Sequence, residues 1–180
     1  MIAFLIMTVL AGGASMSIMA FLTLYSVDRL GVSEETAASL LSLVYFSGLW
    51  AGPVGGYLSD RVGRVPIIII TTLINGFLIY LMPLAGWGFG FLVILFFVGL
   101  STALRMPVSE VFIMEQASAR YRSTLFGVYY FTMHYTGAIF APIMGVIIDR
   151  WGFDICFTIA SAAVLVVTAV CSLFLRGSQS

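Results

Sequence analysis

Apolar residues run along the chain in long stretches, broken by five short polar clusters. The clusters are D-R-L-G-V-S-E-E-T (28–36), S-D-R-V-G-R-V (59–65), P-L-A-G-W-G (83–88), M-E-Q-A-S-A-R-Y-R (114–122) and D-R-W-G-F-D (149–154). Between them lie six stretches, 2–26, 37–58, 66–83, 89–110, 123–147 and 155–175. Each is close to the roughly 20 mostly apolar residues that a helix needs to cross a bilayer. The pattern predicts an all-α membrane protein of six transmembrane helices. In the first break, Ser33 with Thr36 and the acids Glu34 and Glu35 suits a helix start. A side-chain oxygen there accepts from a free amide, and the acids favour the positive end of the helix dipole.

Composition sharpens this picture. Of 180 residues, 61% are hydrophobic and 9% charged, against roughly 25% charged in soluble domains. The N-terminus has no basic n-region. Its apolar run from Ile2 to about Tyr25 exceeds the h-region of a signal peptide, about 7–15 residues, so it reads as a first span. Net charge is zero, which leaves no basic field for nucleic acid. The two cysteines, Cys156 and Cys171, share one predicted helix. They stand about 22 Å apart by helical rise and cannot bridge each other. One histidine, with no cysteine–histidine cluster, no nucleophile elbow and no phosphate-binding glycine loop, offers nothing for enzyme chemistry. No catalytic residue, metal or cofactor is expected.

All eight cations are arginines. Arg61, Arg64, Arg120, Arg122 and Arg176 fall in the second and fourth breaks and the tail; Arg29 and Arg150 fall in the first and fifth. The positive-inside bias then puts the second and fourth breaks, and both termini, in the cytoplasm of a multi-pass cell-membrane protein.

The chain also repeats itself. Gly48 to Arg64 aligns with Gly137 to Phe153 at an offset of 137 − 48 = 89 residues, with six of 17 positions identical. The matches are Gly48/Gly137, Pro53/Pro142, Gly56/Gly145, Asp60/Asp149, Arg61/Arg150 and Gly63/Gly152. They are glycines, prolines and charges, not interchangeable apolar residues. A single bundle over 1–180 thus divides into repeat one, about 1–88, and repeat two, about 89–180. Three spans per repeat is an odd number, so the second copy is inverted in the membrane. Inverted three-helix repeats inside a six-helix bundle are a mark of secondary transporters, with substrate sites near the midplane.

G-Y-L-S-D-R-V-G-R (56–64) closely resembles the G-x-L-x-D-R-x-G-R loop signature of the major facilitator superfamily. G-A-I-F-A-P-I-M-G-V (137–146) is similar to that family's G-x-x-x-G-P-x-x-G-G antiporter motif, with Ala141 and Val146 replacing two glycines. The resemblance covers the whole chain as a six-span pattern, and the loop signature is its specific part. It implies one half of a twelve-span transporter, to be completed by a second six-span half from the same or a separate chain. The five residues R-G-S-Q-S that follow span six, and the alanine in the span-five motif, point to a C-terminal half. The expected activity is secondary active transport of a small solute by alternating access, driven by an ion gradient such as protons. The alternative is a membrane-embedded sensor or assembly factor that keeps the fold without transport.

Candidate residues follow. Gly56, Asp60, Arg61, Gly63 and Arg64 form the gating motif that the resemblance implies, with Asp60 able to pair with Arg64 or to cap a neighbouring helix. Gly48, Gly52, Pro53, Gly137, Pro142 and Gly145 are read as helix packing. Small residues let backbones approach where lipid gives no hydrophobic drive, and each proline frees a carbonyl one turn back. His134 lies 12 residues into span five, about 18 Å deep by helical rise. It is either a titratable coupling group or a neutral residue bonded to a neighbour. Tyr45 is its repeat partner. Arg105, in span four, either snorkels to the inner headgroups or faces the cavity as an anion-binding or gating group. Glu110 and Glu115 are expected at the inner interface, and Asn75 is a polar group with no evident partner.

Overall fold

A computed structural model describes residues 2–118 and 120–177, with side chains described at Phe4, 6–118 and 120–172. Arg176, counted above toward the cytoplasmic side, falls outside the described side chains. The helices are α1 (Ile2–Asp28), α2 (Glu34–Ser47), α3 (Ala51–Val62), α4 (Arg64–Ala85), α5 (Phe89–Gln116) and α6 (Arg122–Gly177). No strand occurs among the described residues. Five stretches are long and apolar enough to cross a membrane: Ile6–Asp28, Glu34–Val62, Arg64–Ala85, Phe89–Gln116 and Arg122–Ser172.

The helix ends follow local chemistry. Ser33 caps α2, its hydroxyl accepting from the Thr36 amide at 3.3 Å. The stretch Glu34–Val62 is interrupted between α2 and α3. Pro53 has no N–H, so the Leu49 carbonyl loses its partner one turn ahead. The chain tightens there into three-residue bonds, Gly48 N to Tyr45 O, Leu49 N to Phe46 O and Ala51 N to Gly48 O, each 3.1 Å.

The 56 residues of α6 would reach about 84 Å if straight, far beyond a hydrocarbon core of about 30 Å. Gly152, at φ 83° and ψ 170°, breaks the helix. The Cys156 thiol lies 3.8 Å from the Met144 carbonyl, although 12 residues of straight helix span about 18 Å. The chain therefore doubles back at Gly152 into two packed arms. Gly63, between α3 and α4, has a closely similar backbone, φ 100° and ψ 152°. This region of φ/ψ space is essentially open to glycine alone. The offset of 89 pairs these same two glycines.

The core is layered along the helices. Toward one end Ile18, Leu22, Tyr25, Ile79, Phe91 and Phe157 are buried together. Toward the other, Phe4, Met7, Ile68, Val108, Phe112 and Tyr129 form a second apolar cluster. Between them lies a polar layer centred on Asn75, which is 5% exposed. The Ser15 hydroxyl donates to Asn75 Oδ1 at 2.9 Å, and Asn75 Nδ2 donates to Ser101 Oγ at 3.1 Å and Thr102 Oγ1 at 3.0 Å. The expectation that Asn75 has no partner is thereby corrected: its partners are 26, 27 and 60 residues away in sequence, beyond the reach of any periodicity.

Small residues bring helices together, in a register that differs from the glycine stripe of the sequence. On α2 and α3 the buried line is Ser47, Ala51, Gly55 and Ser59, facing α5. A Cβ on Gly55 would stand 2.9 Å from the Leu104 carbonyl oxygen, and one on Gly99 would overlap the Val44 carbonyl. Gly48 abuts Ala103, whereas Gly52 and Gly56 face open space, so the close approach runs one residue earlier than Gly48–Gly52–Gly56. Pro53 and Pro142 are exposed. The first arm of α6 packs on α1, with Gly137 beside Met16, Gly145 beside Phe21, and the Ser17 hydroxyl donating to the Gly137 carbonyl at 3.4 Å.

Candidate functional site

Helical rise puts Arg105 and His134 at one depth. Arg105 is 116 − 105 = 11 residues before the end of α5, and His134 is 134 − 122 = 12 residues after the start of α6. Both are therefore about 16–18 Å from the α5–α6 connection. They line the same cavity, of about 120 Å³, between α1, α5 and the first arm of α6. Gly12, Ser15, Thr102, Ser109 and Tyr130 contribute polar or backbone surface, and Met16, Met19, Met106 and Met133 the apolar wall. The polar layer is continuous with this cavity, because Ser15 and Thr102 belong to both.

Arg105 is 8% exposed. Its side chain turns across the bundle toward α1, where Nη2 lies 3.8 Å from the position a Cβ on Gly12 would take. None of the ion pairs among the described residues includes it. His134 stands at the cavity's exposed side. Its Nδ1 is 2.9 Å from the Tyr130 carbonyl. A carbonyl only accepts, so Nδ1 is the donor in this bond. The Tyr130 hydroxyl donates to Glu110 Oε1 at 2.6 Å, and the Tyr130 and His134 rings are 6.2 Å apart.

Tyr45 does not join this group. It is 74% exposed on α2. The buried face of that helix is Ala37, Leu40, Val44 and Ser47, and Tyr45 is turned about 100° from Val44 by helical pitch.

The residues of 56–64 form a separate assembly at one end. Arg64 Nη1 donates to Asp60 Oδ1 and Ser59 Oγ, both at 2.8 Å. On its other edge, Nε and Nη2 reach Glu115 Oε1 at 3.1 and 3.0 Å. One guanidinium thus joins α3, α4 and α5, using the planar fork that suits bidentate pairing. Arg61 instead lies over the Tyr57 ring, 4.5 Å from its centroid. Gly56 and Gly63 supply backbone without a side chain, Gly63 making the turn that lets Arg64 fold back on Asp60. Glu115 is the member that sequence spacing missed, since it is 51 residues from Arg64. At the opposite end Arg29 Nη2 donates to Asp154 Oδ2 at 2.7 Å, beside the rings of Tyr25, Phe91, Phe153 and Phe157. The copies at 60–64 and 149–153 therefore sit at opposite ends. Where the first has Arg64 in ion pairs, the second has Phe153 in an aromatic cluster.

A family model for the Major Facilitator Superfamily matches residues 4–180. The chain belongs to this superfamily. Among its curated relatives, a Na(+), Li(+), K(+)/H(+) antiporter of Planococcus maritimus is 28% identical over 151 residues, covering 81% of the chain and 35% of the antiporter. Multidrug resistance protein MdtG of Escherichia fergusonii is 30% identical over 171 residues, covering 90% of the chain and 41% of MdtG. Among solved structures, the POT family transporter PepTSo superposes with a TM-score of 0.83 at 20% identity, over 97% of the chain and 37% of PepTSo. That likeness concerns the fold. The chain spans little more than a third of the length of the superfamily members it matches. These relatives are transporters and not enzymes, and the superfamily together with the long apolar helices marks a multi-pass membrane protein.

Proposed function

We propose that the chain is one six-span half of a secondary transporter and moves a small solute by alternating access. The observation that carries this reading is the cavity itself, which holds a buried arginine, hydroxyls and a histidine at one depth inside an apolar bundle. Ionisable groups within a membrane bundle are expensive and mark solute or ion pathways. Met16 and Met106 at the cavity wall are 46% exposed, and a second half facing them would close the site.

Several features support the architecture. The two arms of α6, 122–151 and 153–177, raise the five stretches to six passes. The matched backbones of Gly63 and Gly152 favour two inverted repeats. The coverage of a third of each relative leaves room for a second half. The Asp60–Arg64–Glu115 assembly then acts as a latch at the cytoplasmic end, with Arg61, Arg120 and Arg122 on the same side as the positive-inside bias requires. Rocking between states breaks and remakes this end. Protons are a fitting coupling ion, with His134 and the Tyr130–Glu110 pair beside the solute site.

The test uses the protein expressed from its whole reading frame and reconstituted in liposomes. Cysteines at Ser15 and Ser109 are labelled with an impermeant thiol reagent from each side. Alternating access predicts labelling from either side, with solute and ion gradients shifting the ratio, together with uptake of labelled solute. One-sided labelling that no gradient alters, without uptake of any solute, would make the chain a sensor or assembly factor instead.

A further inference from the structure

Arg105 carries a charge that nothing else in the described bundle neutralises. It is more than nine-tenths buried, lines the cavity, and has no carboxylate within ion-pair distance among the described residues. Glu110, five residues on, accepts from the Tyr130 hydroxyl at Oε1 and forms no ion pair with Arg105. A buried cation left unpaired is strongly destabilising, and a protein that keeps one holds it for a partner that comes and goes. Gly12 leaves room beside the guanidinium: a Cβ there would stand 3.8 Å from Arg105 Nη2 and 3.1 Å from Met133 Sδ.

The rest of the cavity narrows the choice of partner. Four of its twelve lining residues are methionines, a soft and adaptable apolar surface. There is one cation in the lining, and the hydroxyls of Ser15, Thr102 and Ser109 are neutral. The cavity volume of about 120 Å³ corresponds to the liquid share of about four waters. We infer that this site takes a small monocarboxylate with an apolar body, its carboxylate held by the Arg105 fork and its body by the methionine wall. A planar carboxylate matches the guanidinium geometry with two parallel bonds. A doubly charged phosphate would leave one charge without a partner in this site.

The inference rests on the transport reading for its purpose but not for its test. Benzoate and its neutral isostere benzamide are titrated calorimetrically into the detergent-purified protein from its whole reading frame, with inorganic sulfate as a third probe. Benzoate is expected to bind at least about 10-fold more tightly than benzamide. Arg105→Gln should weaken benzoate by about 10- to 100-fold, the range for a hydrogen bond to a charged group, and leave benzamide unchanged. Arg105→Lys, which keeps the charge without the fork, should fall between. The unmodified protein tests the idea even if Arg105→Gln fails to fold. Equal binding of benzoate and benzamide, a preference for sulfate over benzoate, or full benzoate affinity in a folded Arg105→Gln protein would each overturn it. Arg105-dependent benzoate binding without movement of labelled benzoate into liposomes would uphold the site and remove the transport reading. Uptake of a neutral or cationic solute unaffected by Arg105→Gln would do the reverse.

Discussion

Replacing Asn75 by alanine tests the polar layer that separates the two apolar clusters. Asn75 makes three side-chain bonds to two other helices, α1 through Ser15 and α5 through Ser101 and Thr102. Its two Nδ2 protons match its two hydroxyl acceptors. Those hydroxyls give their own protons to the Val98 carbonyl at 3.0 and 2.8 Å and present lone pairs to Asn75. The Ser15 proton is contested, because the Ala11 carbonyl is 2.8 Å away. Side-chain bonds between membrane helices average about 0.6 kcal/mol. Three of them, plus the smaller side chain left in a packed site, put Asn75→Ala at about 2–3 kcal/mol of lost stability. The contested serine should couple to Asn75 by about 0.5 kcal/mol or less in a double-mutant cycle with Ser15→Ala. The measurement is reversible unfolding in mixed detergent micelles, followed by helical circular dichroism. An Asn75→Ala protein within about 0.5 kcal/mol of the parent would refute the assignment of this layer as a structural tie. A Ser15 coupling above about 1.7 kcal/mol, the largest seen for such bonds, would show that the serine proton belongs to Asn75.

The remaining predictions concern the latch, the tightest packing contact and the histidine. Asp60→Asn leaves Arg64 its Glu115 partner, so stability should change by less than about 1 kcal/mol, while solute uptake slows at unchanged membrane abundance; wild-type uptake rates would remove the latch. Gly99→Val drives a side chain into the Val44 carbonyl and should cost at least about 1–3 kcal/mol by overpacking, read as a lower melting temperature; Gly52→Ala, which meets open space, should be near neutral in the same assay. His134→Gln should weaken the pH dependence of uptake if protons couple through the cavity. The other titratable groups around it are Tyr129, Tyr130, Glu110 and Arg105, and an unaltered profile would move proton coupling to one of them.

What was legible in the sequence was what depends on local chemistry. Polar clusters marked the helix ends, Ser33 announced its cap, and the aligned glycines 63 and 152 marked the two sharpest turns. Arg105 and His134 could be set at a common depth by counting residues. What depends on rotation about a helix axis was harder to read. The packing stripe on α2 and α3 runs through Ser47, Ala51, Gly55 and Ser59, one residue ahead of the glycine stripe on both sides of the break, so Gly55 and not Gly56 meets Leu104. Tyr45 was linked to His134 by the offset of 89, but its helix α2 does not line the cavity, which lies between α1, α5 and the first arm of α6. Glu115 and the Asn75 partners come from distant segments, and a single sequence carries no signal that joins them.

Gly152 has a consequence for how the chain is made. A single residue joins the arms of α6, so no loop emerges for a protease, an antibody or an inserted tag to reach. In the proposed six-pass arrangement the two arms form one tight helical hairpin that would enter the bilayer as a unit. Gly63 imposes the same on α3 and α4. Epitope tags used to map sidedness therefore belong in 29–33, between α1 and α2, and a tag at either glycine is expected to disturb the turn that glycine makes.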